Sequence, residues 1–103
     1  MIYERPTELA DHLVFLSTID ADFSDEFGTT SSSAYAEAWN ALEYFIAHTP
    51  TDEGKERLRQ CIRNLHVAYE YLEHGDSVTG QDLVMETEEM FKKCRKFIAL
   101  SDA

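Results

Sequence analysis

Apolar residues recur every three or four positions along four stretches of this 103-residue chain, and no stretch shows the apolar–polar alternation of a half-buried strand. Such spacing places apolar side chains on one face of a helix. It predicts an all-α protein with helices over about 6–20, 33–48, 50–74 and 79–100. The length fits one compact unit, so residues 1–103 are expected to form a single helical domain.

Serine and threonine residues before these stretches predict where the helices begin, because a hydroxyl at the N-cap accepts a hydrogen bond from a first-turn N–H. The predicted caps are Ser32 or Ser33 for the second helix, Thr49 for the third, and Thr79 with Asp82 for the fourth. Short connections between the last three helices favour antiparallel neighbours. We therefore expect a four-helix bundle, or a helical hairpin pair with a docked first helix.

The connection between the first two helices is longer than the others and acidic. Phe23 and Phe27 are predicted to anchor this segment to the bundle. Its acids resemble a calcium-binding loop beginning at Asp20, but the sixth position is Asp25 instead of glycine, and the twelfth is Ser31 instead of glutamate. A dedicated calcium site is therefore not expected there.

Acidic residues outnumber basic ones by 20 to 9, for a net charge of −11. Residues 1–54 contain 11 acids and 1 base (−10), whereas residues 55–103 contain 9 acids and 8 bases (−1). A surface this negative repels phosphate backbones, so direct binding to nucleic acid is not expected. The uneven distribution instead creates a field of one sign on part of the surface, which suits a basic protein partner.

Two interpretations of the acidic half remain open. In the first, the acids only keep the domain soluble. In the second, they imitate nucleic-acid phosphates and block a nuclease, a DNA-binding protein or a toxin, as an inhibitor or immunity-type module would. The candidate partner-binding residues are Asp20, Asp22, Asp25, Glu26, Glu37 and Glu43.

Aromatic residues of the second and third helices suggest an alternative function, that of a homo-oligomeric regulatory or scaffold protein. Tyr69 and Tyr71 point about 200° apart on a helix, so they cannot both face one apolar stripe. Tyr71, together with Trp39, is therefore a candidate oligomer-interface residue, and a homodimer through the third and fourth helices would cover it.

Motifs for catalysis and metal binding are missing from the sequence. It contains no Glu-x-x-His, no Gly-x-Ser-x-Gly and no Cys-x-x-Cys, and Cys61-x4-His66 lacks a second half that would complete four zinc ligands. We accordingly expect no enzyme activity, no cofactor and no metal site.

The two cysteines, Cys61 and Cys94, lie within helical apolar patterns. Basic neighbours of Cys94 could lower the pKa of its thiol, but its position on an apolar stripe favours a buried packing thiol. Two separated cysteines do not make a secreted disulfide framework, the first residues do not resemble a secretory signal, and no apolar run is long enough to cross a bilayer. A cytoplasmic protein with reduced thiols is expected.

Overall fold

The computed structural model describes residues 3–100, and this part of the chain contains four α-helices and no strand. The helices are α1 (Pro6–Leu16), α2 (Ser31–Ala47), α3 (Asp52–Glu73) and α4 (Ser77–Cys94), followed by one 3-10 turn over Arg95–Phe97. The helices pack on one another around a shared apolar core. The all-α, four-helix bundle-like fold expected from the periodicity is confirmed.

Each helix packs against two neighbours in a closed arrangement, with α1 between α2 and α4, and α3 between the same two helices. The α3–α4 hairpin has the most extensive contact, and Gly75, with a φ of +88°, forms its turn. Across the bundle, the ring of Phe45 on α2 stacks on that of Phe91 on α4 at a centroid distance of 6.0 Å. None of the helices in residues 3–100 has the length and apolar character needed to cross a membrane.

The backbones of α3 and α4 approach closely at Gly80. A Cβ atom at this position would lie 2.9 Å from the Ala68 carbonyl oxygen, closer than side-chain carbons approach backbone oxygens. A glycine on one helix opposite a small alanine on the other allows this contact. The hairpin is therefore tight at its turn end, which fixes how the side chains further along the two helices face each other.

Helix α1 ends at Leu16, although its apolar spacing continues to Ile19 and predicted a helix to about Asp20. The hydroxyls of Ser17 and Thr18 donate to the carbonyls of Val14 and Phe15, at 2.6 and 2.7 Å. These hydroxyls thus donate to carbonyls that would accept from backbone N–H groups if the helix continued. Ile19 is nonetheless buried. The apolar spacing therefore predicted the burial of Ile19 correctly, but it predicted a helical backbone where there is none.

The helix starts differ from the predicted caps, since three other residues accept the first-turn hydrogen bonds. Thr30 caps α2 by accepting from Ser33, Thr51 caps α3 by accepting from Gly54, and Asp76 caps α4 by accepting from Thr79. Thr49 is instead buried and donates to the Phe45 carbonyl at 2.6 Å. The predicted caps at Ser32 or Ser33, Thr49 and Thr79 are therefore wrong by two to three positions.

Helix α4 ends at Cys94, several residues before the predicted end near Leu100. The chain then makes the 3-10 turn and becomes extended at Ile98, which is still buried. The backbone N–H of Ala99 donates to the His48 carbonyl at the end of α2, at 2.8 Å. This bond holds the C-terminal segment against the end of the bundle.

Tyr35 is fully buried, and its hydroxyl has no hydrogen-bond partner among the described residues. Burial, with a smaller contribution from Tyr69, raises the pKa of Tyr35 from its ordinary 10.0 to about 12. A buried polar group without a partner destabilises the folded state. We expect Tyr35→Phe to raise the free energy of unfolding by about 1–2 kcal/mol at neutral pH.

The pH dependence of the same variant provides a second measurement. Unfolded Tyr35 ionises near its ordinary pKa, whereas folded Tyr35 keeps its proton up to about pH 12. The native chain therefore loses stability as the pH rises from about 10 towards 12, and Tyr35→Phe removes this contribution. Urea unfolding at neutral and alkaline pH tests both effects, and a midpoint of Tyr35→Phe at or below that of the native chain would contradict them.

Candidate functional site

A cavity of about 570 Å³ lies between α1, α2 and the loop that joins them. We call it the His12 pocket, and we call residues 17–30 the acidic loop. Four carboxylates and two aromatic rings surround His12 in this pocket. The lining residues are Tyr3, Glu8, Asp11, His12, Phe15, Asp25, Thr29 and Glu37.

The side chain of His12 holds the floor of the pocket in place. Its Nε2 atom lies 2.7 Å from the Ala34 carbonyl oxygen, and its Nδ1 atom lies 3.2 Å from the Tyr3 hydroxyl. Because a carbonyl only accepts, Nε2 carries a hydrogen and donates it to Ala34. Both ring nitrogens are thus engaged within the protein, so His12 has a positioning role that links α1 to α2.

The pocket has a negative field that acts on its own residues. Glu37 lies 3.9 Å from His12 Nε2, and it also hydrogen-bonds to Tyr3. Burial, followed by the charges of Glu37 and Glu8, raises the pKa of the Tyr3 hydroxyl above its ordinary value. A positively charged group entering the pocket would therefore be attracted by carboxylates on three sides.

The carboxylates and aromatic rings of the site suit an extended organic cation. Among residues 3–100, no three histidine, cysteine or acidic side chains are arranged to hold a metal. The carboxylates of Glu8, Asp11 and Asp25 are spread around an open pocket that also presents the ring of Phe15. A lysine or arginine side chain can contact separate carboxylates and lie against an aromatic face at the same time.

The acidic loop is folded back on itself. Oδ1 of Asp25 accepts from the backbone N–H groups of Phe27 and Thr29, at 2.9 and 2.8 Å, and Ser24 pairs with Thr30 through an isolated β-bridge. Gly28 follows with a φ of +82°, a conformation that glycine adopts without strain. The loop acids therefore project from an ordered turn.

The two phenylalanines of the loop behave differently. Phe23 is half-buried and packs edge-on against Phe15, with ring centroids 5.3 Å apart, as predicted. Phe27 is 84% exposed, so the prediction that it anchors the loop is wrong. The turn held by Asp25 and Gly28 directs Phe27 into solvent.

The six acids predicted from the sequence occupy three different places. Asp25 and Glu37 meet in the His12 pocket, and Asp20, Asp22 and Glu26 are exposed on the acidic loop. Glu43 is exposed further along α2 and does not line the pocket.

Sequence reasoning missed Glu8 and Asp11 as members of this site. Both line the pocket from α1. Their spacing of three places them on one helix face with Phe15, which is the signal that could have identified them.

Basic residues of α3 and α4 pair with acids of their own helices. Arg57 pairs with Glu53 at 3.1 Å, and Arg63 pairs with Glu56 at 2.7 Å. The bond from Arg63 holds the pKa of the Glu56 carboxyl below its ordinary value. Lys92 likewise pairs with Glu88 at 2.6 Å. Among residues 3–100, no cation pairs with the carboxylates of the acidic loop.

The two candidate interface residues, Trp39 and Tyr71, lie in different environments. Trp39 is half-buried and stacks on His66 at a ring distance of 4.5 Å, so much of its surface is covered within the chain. Tyr71 is 43% exposed on α3. It borders a shallow cavity of about 280 Å³ together with Val67, Glu70 and His74.

Comparison of the chain with protein-family models, with curated proteins and with solved structures finds no match. The His12 pocket and the acidic loop are therefore the features of this chain that bear on its function.

Proposed function

We propose that this protein is a non-catalytic binding module that docks a basic protein through the His12 pocket and the acidic loop. The observation that supports this most directly is the set of four carboxylates around a 570 Å³ pocket with aromatic walls. A pocket of this chemistry accepts the side chain of a lysine or an arginine. The loop acids then contact further basic residues around that anchor.

The separation of charge along the chain supports the same function. Arg57, Arg63 and Lys92 are engaged with acids of their own helices, and no cation of residues 3–100 pairs with a carboxylate of the acidic loop. Uncompensated charge of one sign attracts a partner of the opposite sign over about 10 Å at 0.1 M salt, and it speeds association. We infer that the partner presents a basic surface of the kind that binds nucleic-acid phosphates.

The class of partner follows from this chemistry. A nuclease, a DNA-binding protein or a toxin with a phosphate-binding surface would meet carboxylates where it normally meets phosphates. The module would then act as an inhibitor or immunity-type protein, without binding nucleic acid itself. We place this activity in the cytoplasm, a compartment that suits the two free thiols of Cys61 and Cys94.

Affinity capture from a lysate of the native host tests the proposal, with this chain as bait at about 0.05 M and then about 0.5 M salt. We expect mass spectrometry to identify one basic protein at low salt that is lost at high salt. Recovery of the bait alone, or of a partner that resists high salt, would contradict an interaction through the acidic surface.

A homo-oligomeric scaffold or regulatory protein is the second candidate, and the exposed cavity beside Tyr71 favours it. In that case the acidic half is only solubilising, and Tyr71→Ala lowers the molar mass measured by light scattering from that of a dimer to that of a monomer. A native chain that is already monomeric at the highest concentrations measured would exclude this candidate.

A further inference from the structure

Two buried cysteines that are far apart in the sequence meet between α3 and α4. Cys61 is fully buried and Cys94 is 2% exposed, and the two thiols are close enough to shift each other's pKa. They lie on the two helices with the most extensive contact in the bundle. Neither thiol contributes to the His12 pocket or to the acidic loop.

A separate cavity of about 290 Å³ borders one of these cysteines. Cys94 forms part of its wall, and the other lining residues are Arg57, Gln60, Met90 and Lys93. The cavity is large enough for a small polar molecule, and two of its five lining residues are cationic. The structure thus combines a cysteine in the wall of a cavity, two cationic residues in the same wall, and a second buried cysteine that interacts with the first.

The two thiols are not equivalent. The interaction with Cys61 lowers the pKa of Cys94, burial opposes this effect, and the charge of Arg57 adds to the lowering. The pKa of Cys61 is raised, first by its interaction with Cys94 and then by burial. Because the cavity is lined by Cys94 and not by Cys61, Cys94 is the attacking sulfur and Cys61 is the thiol that reacts second.

We propose that Cys94 and Cys61 form a peroxide-oxidisable dithiol, in which hydrogen peroxide enters through the cavity at Cys94 and the product is a disulfide between α3 and α4. This modification is independent of the proposed binding function. It uses a different face of the protein and a different chemistry.

The reaction balances with hydrogen peroxide as the oxidant. The Cys94 thiolate attacks one peroxide oxygen, the O–O bond breaks, and hydroxide leaves and takes up a proton to become water. The sulfur of Cys61 then attacks the sulfenic sulfur of Cys94, and the hydroxyl group leaves as a second water with the thiol proton of Cys61. Two thiols are oxidised by two electrons in total, and one peroxide is reduced to two waters.

Peroxide treatment of the full chain, followed by intact-mass and peptide analysis, tests this proposal. We expect the native chain to lose both free thiols and two hydrogen atoms, with Cys61 and Cys94 recovered as one cross-linked peptide that dithiothreitol separates. Cys61→Ser should stop at a sulfenic acid that dimedone labels at Cys94. Cys94→Ser should leave the Cys61 thiol intact.

A surface variant keeps the test independent of changes inside the core. Arg57 lines the cavity and Arg59 does not, although both are exposed on α3 and both pair with acids of that helix. We expect Arg57→Gln to slow oxidation about threefold or more at neutral pH, because the thiolate fraction of Cys94 falls, and Arg59→Gln to leave the rate unchanged.

Three results would overturn the proposal. The first is persistence of both thiols under conditions that oxidise glutathione completely. The second is loss of the remaining thiol in Cys94→Ser at the rate of the native chain. The third is a disulfide that forms only between two chains.

Discussion

Replacing Asp22 and Glu26 together with lysine is expected to weaken binding of the basic partner about a hundredfold or more. Both side chains are exposed on the acidic loop, and neither has a hydrogen bond or ion pair with the described residues. The double substitution exchanges attraction for repulsion at the same place, and like-charge contacts at an interface cost several kcal/mol. Since 1.4 kcal/mol corresponds to a tenfold change, a hundredfold loss requires only about 2.8 kcal/mol.

The choice of these two acids depends on the structure of the loop. Asp25 accepts two backbone hydrogen bonds and Asp20 accepts one from Asp22, so replacing either acid would also disturb the turn. Asp22 and Glu26 contribute charge without supporting the backbone. Circular dichroism and the melting temperature are accordingly expected to stay close to those of the native chain.

A matched variant separates local charge from net charge. Glu86 and Glu89 are exposed on α4, outside the His12 pocket and the acidic loop. Replacing both with lysine changes the net charge by the same amount, and we expect binding to fall much less. The affinity of each double variant for the captured partner is the measurement that distinguishes local charge from net charge. Equal losses for the two double variants would show that net charge, and not the acidic loop, drives the interaction.

Phe91→Ala is expected to lower the free energy of unfolding by about 3–5 kcal/mol. The side chain is fully buried, and its ring stacks on Phe45 across the bundle. Truncation removes contacts with the middle of the core and leaves a cavity that packed helices fill only in part. A loss of this size is a large fraction of the 5–15 kcal/mol by which domains are typically stable.

Urea unfolding followed by circular dichroism measures this loss, and Phe27→Ala is the matched control. The control removes the same atoms from a ring that is 84% exposed, so the free energy of unfolding should change by less than about 0.5 kcal/mol. A Phe91→Ala midpoint close to that of the native chain would mean that the Phe45–Phe91 contact does not support the bundle.

The ends of the helices show where sequence reasoning loses accuracy. Several hydroxyl residues lie at the start of α2, including Thr30, Ser32 and Ser33, and each is a residue type that can accept the capping bond. Their intrinsic preferences are nearly equal, so packing selects one of them. At the end of α1 the apolar spacing continues after the backbone has left the helix, because Ile19 is buried without being helical.

The candidate site shows a second limit. The acidic character of the first half of the chain, and with it Asp25 and Glu37, could be read from composition and position. The packing of α1 against α2 brings Glu37 close to His12. It also places Glu8 and Asp11 in the wall of the pocket. Spacing along one helix reports which residues share its face, but not which residues of another helix they meet.

The sequence by itself determined the number of helices, the core positions and the separation of charge, because each of these depends on residue type and on spacing within one helix. Tertiary structure alone decided the His12 pocket, the outward position of Phe27 and the contact between Cys61 and Cys94. These features depend on helix register and loop geometry. Both are set by packing contacts between residues that are distant in the chain, such as the approach of Gly80 to Ala68.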